Sequence, residues 1–150
     1  LATRIARFID RCANGTRDDS TRDALLAELS VQQAERVDPY RRYLVGEKRR
    51  PSSFALPALP TDVFRFARVA SHPPDLDIRT FRTSGTTGRA RGEHAFRDLN
   101  LYDRAARSAA SHALFPELSR QRLCILAPSE QDAPDSSLSY MLARFIDFEN

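Results

Sequence analysis

The chain has 150 residues, of which 41% are hydrophobic and 29% charged, and it carries a formal net charge of +3 at pH 7. This composition is typical of a globular domain with a real core, and no window approaches the roughly 20 apolar residues of a membrane span. The 23 basic residues are scattered beside 20 acidic ones, which argues against a nucleic-acid partner. Since no leader for secretion is visible either, we expect a cytoplasmic protein.

The first 50 residues are predicted to form a helical layer. Apolar residues recur at helical spacing over 1–12, and Asn14-Gly15 is a typical C-terminal stop. Ser20 and Asp23 have the spacing of a capping box, with Asp in place of the usual Glu, ahead of a second amphipathic helix. A short further helix is expected after Pro39.

Residues 51–76 are interpreted as a proline-rich connector. Prolines 51, 57 and 60 impose extended backbone and block regular helix, so this segment is expected to cross the surface. Thr61 or Asp62 can cap a short helix, and another break follows at His72-Pro73-Pro74. The sequence gives His72 in this loop, and His112 further on, no evident role.

Residues 77–150 are predicted to be an α/β part, because strands and helices alternate in the pattern. The first two strands are the arms of a hairpin. The predicted elements are a strand over 78–83, a strand over 93–96, a helix capped by Asp98 and ending near Pro116, a buried strand over 123–127, and a final helix opened by Ser136 or Ser137.

The most informative stretch joins the two arms of the hairpin. It reads Thr83-Ser84-Gly85-Thr86-Thr87-Gly88-Arg89-Ala90-Arg91 and holds two of the five glycines of the chain. Glycines let backbone N–H groups approach an anion, hydroxyls add neutral donors, and arginines add charged, bidentate donors. Such a turn has the donors that a triphosphate needs. His94 follows closely enough in a hairpin to border the same site.

Other nucleotide and hydrolase motifs are absent from the sequence. The only lysine is Lys48, so there is no Walker loop, and neither G-x-G-x-x-G nor G-x-S-x-G occurs. Two alternatives stay open. The glycine run can be an ordinary turn, since Ser, Thr and Gly are common in loops. The whole chain can be a noncatalytic protein-interaction module that binds through its helical first third.

The phrase FRTSGTTG at 81–88 resembles the phosphate-binding signature of the acyl-adenylate-forming (AMP-binding) superfamily. Flanking segments narrow the resemblance to the LuxE-like acyl-protein synthetases, over about residue 38 to the C-terminus. These segments are 39–44, 56–60, His94, 98–102, 126–129 and 133–138.

The resemblance implies an enzyme that activates a carboxylic acid, typically a fatty acid, with ATP. The acyl-AMP then passes its acyl group to a protein thiol or to CoA. By resemblance, the β- and γ-phosphates would be held by Ser84, Gly85, Thr86, Thr87 and Gly88. Arg89 or Arg91 stands where many members of the superfamily have lysine. Arginine keeps the positive charge there and adds a planar guanidinium with paired donors. Mg²⁺ would arrive with ATP, because three dispersed histidines provide no ligand triad.

The expected fold class is α/β, with a helical N-terminal layer followed by a partial α/β layered domain of the acyl-adenylate-forming type. The chain is short for that activity, so it is expected to be an N-terminal portion that supplies the phosphate loop and is inactive alone. A phenylacetate-type acyl-CoA ligase fragment is an alternative that differs in the acceptor.

Three further groups of residues receive weaker assignments. Cys12 and Cys124 are expected to be buried, reduced thiols with no acyl-carrying role. The segments 129–132 and 133–138 follow the predicted buried strand, where α/β folds often place ligand-binding loops. Helix capping explains Ser136 nearly as well as a role in such a cleft.

Overall fold

The computed structural model describes residues 1–47, 57–84, 90–114 and 124–146. Within these ranges the chain combines helices with one small antiparallel sheet, as the coarse expectation of a partial α/β chain requires. The α-helices are α1 Ala2–Ala13, α2 Asp19–Arg36, α3 Asp38–Gly46, α4 Asn100–Ala113 and α5 Ser137–Ile146, the 3₁₀ helices are Thr61–Arg65 and Pro74–Leu76, and the strands are β1 Arg79–Arg82 and β2 Glu93–Phe96.

The described elements belong to two compact units. The first unit contains Asp19–Asp98, with helices α2 and α3, both 3₁₀ helices and the sheet. The second unit combines Ala2–Asp18 with Leu99–Asn150, so that α1 belongs with α4 and α5. The helical first third of the chain is therefore divided between the two units.

The core of the first unit lies where α2 passes into α3. Val37, Tyr40 and Leu44 are 5–6% exposed and form one cluster, against which Leu59 and Val69 pack. Helix α3 confirms the short helix expected here, and Pro39 lies in its first turn, where the missing N–H breaks no helical bond. Burying each of these side chains stabilises the fold by about 1.5–3 kcal/mol.

Helix α1 ends where the Asn14-Gly15 pair predicts. Gly15 has φ +78°, in the left-handed region that glycine tolerates best. Its N–H donates to Cys12 O at 2.9 Å, and the N–H of Thr16 donates to Arg11 O at 3.0 Å. This pair of bonds is the Schellman arrangement, which satisfies carbonyls that the end of a helix leaves without partners.

The second unit is held together by packing of α1 on α4 and of α4 on α5. Ala110 of α4 is only 2% exposed. Arg104 also donates to both carboxylate oxygens of Asp10, at 2.5 and 2.7 Å. Both side chains are about half exposed, so this ion pair contributes no more than about 1 kcal/mol.

Helix α5 begins at Ser137 and is capped by Ser136, the two residues predicted to open it. The Ser136 Oγ accepts the N–H of Ser139 at 3.1 Å, which is the bond of an N-cap residue. Tyr140 and Phe145 then turn into the core, at 5% and 6% exposure. Tyr140 meets Tyr102 of α4 edge to face, with ring centroids 5.8 Å apart.

Two predicted caps are wrong. The N-cap position of α4 is Leu99 and carries no side-chain cap, so Asp98 lies one residue too early to fill it. Helix α2 begins at Asp19, which places Ser20 inside the first turn rather than in front of it. Both helices exist where the apolar spacing predicts, and only the residue at the boundary differs, because a good capping residue does not by itself fix where a helix starts.

The strand predicted over 123–127 is wrong for the residues that the structure describes. Residues 124–127 form no strand, Leu126 is 97% exposed, and Cys124 is exposed rather than buried. A strand needs a hydrogen-bonded neighbour, and in the described ranges β1 and β2 pair only with each other. Leu123 lies outside the described residues. Cys12 is partly buried, and both cysteines are free thiols.

The connector is described from Pro57 onwards, whereas 48–56 lie outside the described residues. Residues 57–60 have no regular structure, and the short helix expected next is the 3₁₀ helix Thr61–Arg65. Tyr40 ties this segment to α3, since its hydroxyl donates to Pro57 O at 3.0 Å. None of the helices in the described part of the chain combines the length and apolarity that crossing a bilayer requires.

Candidate functional site

The glycine run lies between the two strands of an antiparallel hairpin, as the sequence predicts. Strands β1 and β2 pair in the register Arg79 with Phe96 through Arg82 with Glu93. Thr83, Ser84, Arg91 and His94 are within the described ranges, and the other predicted site residues lie outside them. Those outside are Gly85, Thr86, Thr87, Gly88 and Arg89.

The neck of the hairpin is closed by Thr83 and Gly92. The N–H of Thr83 donates to Gly92 O at 2.9 Å, and the N–H of Gly92 donates to the Thr83 Oγ1, also at 2.9 Å. A Cβ at position 92 would lie 3.3 Å from the Thr83 Cγ2 and 3.4 Å from the Phe64 Cβ. The two backbones therefore approach closely here because residue 92 has no side chain.

Arg91 adds a third connection across the neck. Its Nε donates to Thr83 O at 2.6 Å, and an NH2 group donates to Arg82 O at 3.4 Å. The guanidinium is thereby held beside the residues that enter the glycine run, and Ser84 next to it is exposed. Thr83 and Arg91 are thus brought together, as the predicted site requires.

One face of the hairpin carries charged residues. Alternation along the strands places Thr80, Arg82, Glu93 and Ala95 together, and Arg82 Nε donates to Glu93 at 2.9 Å. These four side chains line an open cavity of about 670 Å³. Its remaining lining comes from Ala90, Arg91, Asp77 and the segment 64–69, which includes Arg65 and Arg68. Four arginines against two carboxylates give this cavity a net positive charge.

The opposite face of the hairpin is packed into the first unit. Phe81 is 2% exposed and meets Phe96 edge to face, with ring centroids 5.4 Å apart. His94 lies opposite Phe81 in the register, and its ring stacks on Phe64 at 4.2 Å. Burial lowers the pKa of His94, so the ring is neutral at pH 7.

His94 lies on the opposite face of the hairpin from Arg82 and Glu93. It shares a face with the apolar residues, whereas Arg82 and Glu93 point to the other face. Its described ring contact is with Phe64 of the 3₁₀ helix. A role for His94 in ligand binding remains a prediction, and a role in packing is what its contacts describe.

A histidine that the sequence did not single out is placed in a polar triad. His72 Nε2 lies 2.8 Å from Asp77 Oδ1, and Arg68 donates to both oxygens of the same carboxylate at 2.6 and 2.8 Å. The hydrogen bond from Arg68, reinforced by that from His72, lowers the pKa of Asp77. Asp77 is therefore ionised at neutral pH.

The signal for this triad was present in the sequence. Pro73 and Pro74 follow His72 directly, and Pro74 begins the 3₁₀ helix that returns the chain to Asp77. The turn that these prolines favour brings His72 and Asp77, five residues apart, within hydrogen-bonding distance. A histidine and an aspartate flanking a double proline are thus a recognisable pair.

The segments that follow residue 128 are local turns and caps in the described structure. Ser129 Oγ donates to Asp132 at 2.6 Å and accepts the Asp132 N–H at 3.1 Å. Glu130 pairs with Arg144 of α5 at 3.0 Å. These bonds place Ser129, Glu130, Asp132 and Ser136 in local turn, ion-pair and cap contacts.

Possible metal ligands are dispersed over the described residues. No cluster of three or more His, Cys, Asp or Glu side chains there is arranged to hold a metal ion. Mg²⁺ accompanying ATP stays a prediction, and the hydroxyls and arginines near the neck are donors suited to phosphate rather than ligands for a cation.

Comparison with known proteins gave no match, whether to a protein-family model, a curated protein or a solved structure. A functional assignment for this chain therefore depends on its own residues and their geometry.

Proposed function

We propose that this chain supplies the ATP phosphate-binding loop of an enzyme that activates a carboxylic acid as an acyl adenylate and transfers the acyl group to a thiol. The observation that supports this most is the hairpin, whose strands enclose the run at 83–91 and whose neck is closed by Thr83 and Gly92. A phosphate-binding turn needs such an anchor, because donors must be positioned before the ligand arrives.

The charge around the neck supports an anionic ligand. Arg91 donates a hydrogen bond to Thr83 O, and it lines a cavity together with three further arginines. Arg65 and Arg68 lie on the segment after Pro60, and Arg82 ends β1. Guanidinium groups match the geometry of phosphate oxygens with paired N–H donors. A triphosphate seated at the turn would therefore face a cationic surface on one side.

The chemistry follows from these donors. A carboxylate oxygen attacks the α-phosphorus of ATP, a new oxygen–phosphorus bond forms, and the bond to the bridging oxygen of pyrophosphate breaks. Negative charge grows on the departing pyrophosphate, where N–H, hydroxyl and guanidinium donors offset it. Mg²⁺ bound to ATP would neutralise further charge. The thiol then attacks the acyl carbon and releases AMP.

The experiment that tests this proposal is exchange of labelled pyrophosphate into ATP by the full-length protein, across a panel of carboxylic acids. The double variant Thr86→Val with Thr87→Val removes two hydroxyl donors and should lower acid-dependent exchange at least about tenfold. The matched control is Thr3→Val with Thr21→Val, which changes two threonines on helices α1 and α2.

Two results would contradict the proposal. Exchange that is unaffected by the double variant at 86 and 87 would remove the turn from the reaction. In the second result, the full-length protein binds a specific protein partner and yet catalyses no pyrophosphate exchange with any acid of the panel. That result would favour the interaction module instead. Detection of an acyl-CoA rather than an acylated protein would select the phenylacetate-type alternative, because the two differ only in the acceptor.

A further inference from the structure

The triad of His72, Asp77 and Arg68 lies at the wall of the charged cavity beside the hairpin. Arg68 and Asp77 both line that cavity, which has a volume of about 670 Å³. The double proline that follows His72 builds the turn that brings the chain back to Asp77. The triad therefore places a cation in the cavity that Arg91 of the neck also lines.

Arg68 is held in one orientation by three hydrogen bonds. It donates to the two carboxylate oxygens of Asp77, at 2.8 and 2.6 Å, and to His72 O at 3.1 Å. The hydrogen bond with Asp77, and to a smaller extent the charge of Glu93, raise the pKa of Arg68, so the guanidinium is charged at neutral pH. A cation that is already oriented binds an anion with little further loss of side-chain freedom.

His72 anchors this ion pair from inside the first unit. Its side chain is only 6% exposed, and its Nε2 lies 2.8 Å from Asp77 Oδ1. The backbone carbonyl of the same residue accepts a hydrogen bond from Arg68. His72 therefore contacts both members of the ion pair, one through its ring and the other through its carbonyl.

The guanidinium of Arg68 keeps donors for a ligand. A guanidinium has five N–H groups, and the bonds to Asp77 and His72 use three of them, so two remain. The side chain is 35% exposed where it lines the cavity. Guanidinium N–H groups match the oxygens of a phosphate in charge and in geometry.

The two carboxylates of the described cavity lining already have cationic partners. Asp77 is bonded to Arg68, and Glu93 accepts a hydrogen bond from Arg82 at 2.9 Å. Arg65 and Arg91 add two further positive charges to the lining. The cavity is therefore suited to an anion that carries several charges.

We propose that Arg68 binds the phosphate chain of a polyphosphate anion in this cavity, and that Asp77 and His72 are positioning residues that hold it for that contact. The proposal rests on the proposed function in naming ATP as the source of the polyphosphate. It adds to the donors of the hairpin neck a binding residue from the segment between the connector and β1. Inorganic tripolyphosphate tests it without an acid and without turnover.

The first test uses the unmodified full-length protein. In a proton–nitrogen NMR spectrum of the arginine side chains, tripolyphosphate should shift the Nε–H resonance of Arg68. The resonance of Arg104 is the matched control and should stay in place, because Arg104 makes the same paired contact with Asp10 in the second unit. ATP should shift the Arg68 resonance as tripolyphosphate does, whereas adenosine should leave it unchanged.

Two substitutions that remove the same charge from the same cavity separate Arg68 from its neighbour. Arg68→Gln should weaken tripolyphosphate binding at least about tenfold by calorimetry, because charge-assisted hydrogen bonds are lost. Arg65 also lines the cavity, but its partner Asp62 lies 3.3 Å away and is 74% exposed. Arg65→Gln should therefore weaken binding by about threefold or less, as loss of a screened charge predicts.

Asp77→Asn separates the orientation of Arg68 from charge. It raises the net charge of the cavity by one, so attraction by charge alone would strengthen binding. The proposal predicts the opposite, a loss of about threefold to tenfold, because Arg68 loses the carboxylate that orients it. The double variant Arg68→Gln with Asp77→Asn leaves the net charge unchanged and should bind as weakly as Arg68→Gln. The titrations are made in about 0.15 M salt, where exposed charges more than about 8 Å apart are screened.

Three results would each overturn the proposal. Tripolyphosphate leaves the Arg68 resonance in place, Arg68→Gln and Arg65→Gln weaken binding equally, or Asp77→Asn strengthens binding. The NMR comparison needs no variant, so a substitution that fails to fold leaves the test intact.

Pyrophosphate exchange distinguishes this proposal from the proposed function. Acid-dependent exchange whose KM for ATP is unchanged in Arg68→Gln would refute the role of Arg68 and leave the proposed function intact. Tripolyphosphate binding that depends on Arg68, without exchange for any acid, would refute the proposed function and leave the role of Arg68 intact.

Discussion

Replacing Gly92 by Ala should destabilise the neck of the hairpin through two specific contacts. The added Cβ would lie 3.3 Å from the Thr83 Cγ2 and 3.4 Å from the Phe64 Cβ. The first distance is tighter than ordinary van der Waals contact. Thr83 cannot rotate away freely, because its Oγ1 accepts the N–H of Gly92 at 2.9 Å. Either the contact stays compressed or that hydrogen bond weakens.

The expected cost follows from these alternatives. Overpacking a well-packed position costs about 1–3 kcal/mol, and loss of one hydrogen bond costs a similar amount. Ala also restricts the unfolded chain relative to Gly, which returns about 0.4–1 kcal/mol. We therefore expect the free energy of unfolding of Gly92→Ala to fall by about 1 kcal/mol.

The assay is urea unfolding followed by far-ultraviolet circular dichroism, with amide hydrogen exchange at Thr83 and Gly92 to localise the change. Gly46→Ala is the matched control, because Gly46 ends helix α3 and, in the described part of the chain, nothing beyond its own neighbours and helix backbone lies within 4 Å of the added Cβ. That variant should gain about 0.5–1 kcal/mol. Thr83→Ser removes the Cγ2 and keeps the Oγ, so it should relieve part of the Gly92→Ala penalty.

The reasoning would be refuted if Gly92→Ala gained stability as Gly46→Ala does. It would also be refuted if the penalty were the same whether position 83 carried Thr or Ser, because the compressed contact would then not be its source. Faster amide exchange at residues distant from the neck, with none at Thr83, would point to a different cause.

Two further substitutions test the helix cap and the buried imidazole. Ser136→Ala removes the acceptor for the Ser139 N–H and should lower the free energy of unfolding by about 1 kcal/mol, measured by thermal melting. The control Ser137→Ala should change that free energy little. Equal losses in the two variants would show that Ser136 does not cap the helix. Burial lowers the pKa of His94, so the unfolded chain binds a proton more readily than the folded one. The contribution of His94 is then complete above about pH 6.5 and is lost as the pH falls through its folded pKa. His94→Gln should therefore flatten the decline in stability between about pH 7 and 5, and an unchanged slope would contradict the burial of that ring.

The hairpin was predictable because its signals are local. Strand β2 covers the predicted residues 93–96, and β1 lies inside the predicted 78–83. The two arms are separated by a short run, so pairing them needs no long-range information. The end of α1 at Gly15 and the cap at Ser136 are local in the same sense, since each depends on residues within one turn.

Long-range associations could not be derived in this way. Nothing in the spacing of 2–13 indicates that α1 packs with α4, almost 100 residues later. The apolar run at 123–127 predicts burial, but whether it forms a strand depends on a neighbour that the run itself does not specify. His72 was missed because the double proline after it was interpreted only as a break in the connector, and the turn that brings the chain back to Asp77 was not considered.

In the candidate site, the sequence predicted the neck of the hairpin better than the side-chain contacts around it. Thr83 and Arg91 come together at the neck, which the order strand, glycine run, strand implies. The bonds from Arg91 to backbone carbonyls were not predictable, because arginine contacts depend on side-chain conformation. His94 faces the apolar side through strand parity, which could have been counted once the register was known.

The two sides of the hairpin give the protein separate places for change. Residues at 80, 82, 93 and 95 can be exchanged to retune charge without disturbing the aromatic contacts made by 81, 94 and 96. Substitutions can therefore accumulate on the charged side while the aromatic side preserves the packing, as long as Gly92 keeps the close approach of the two strands.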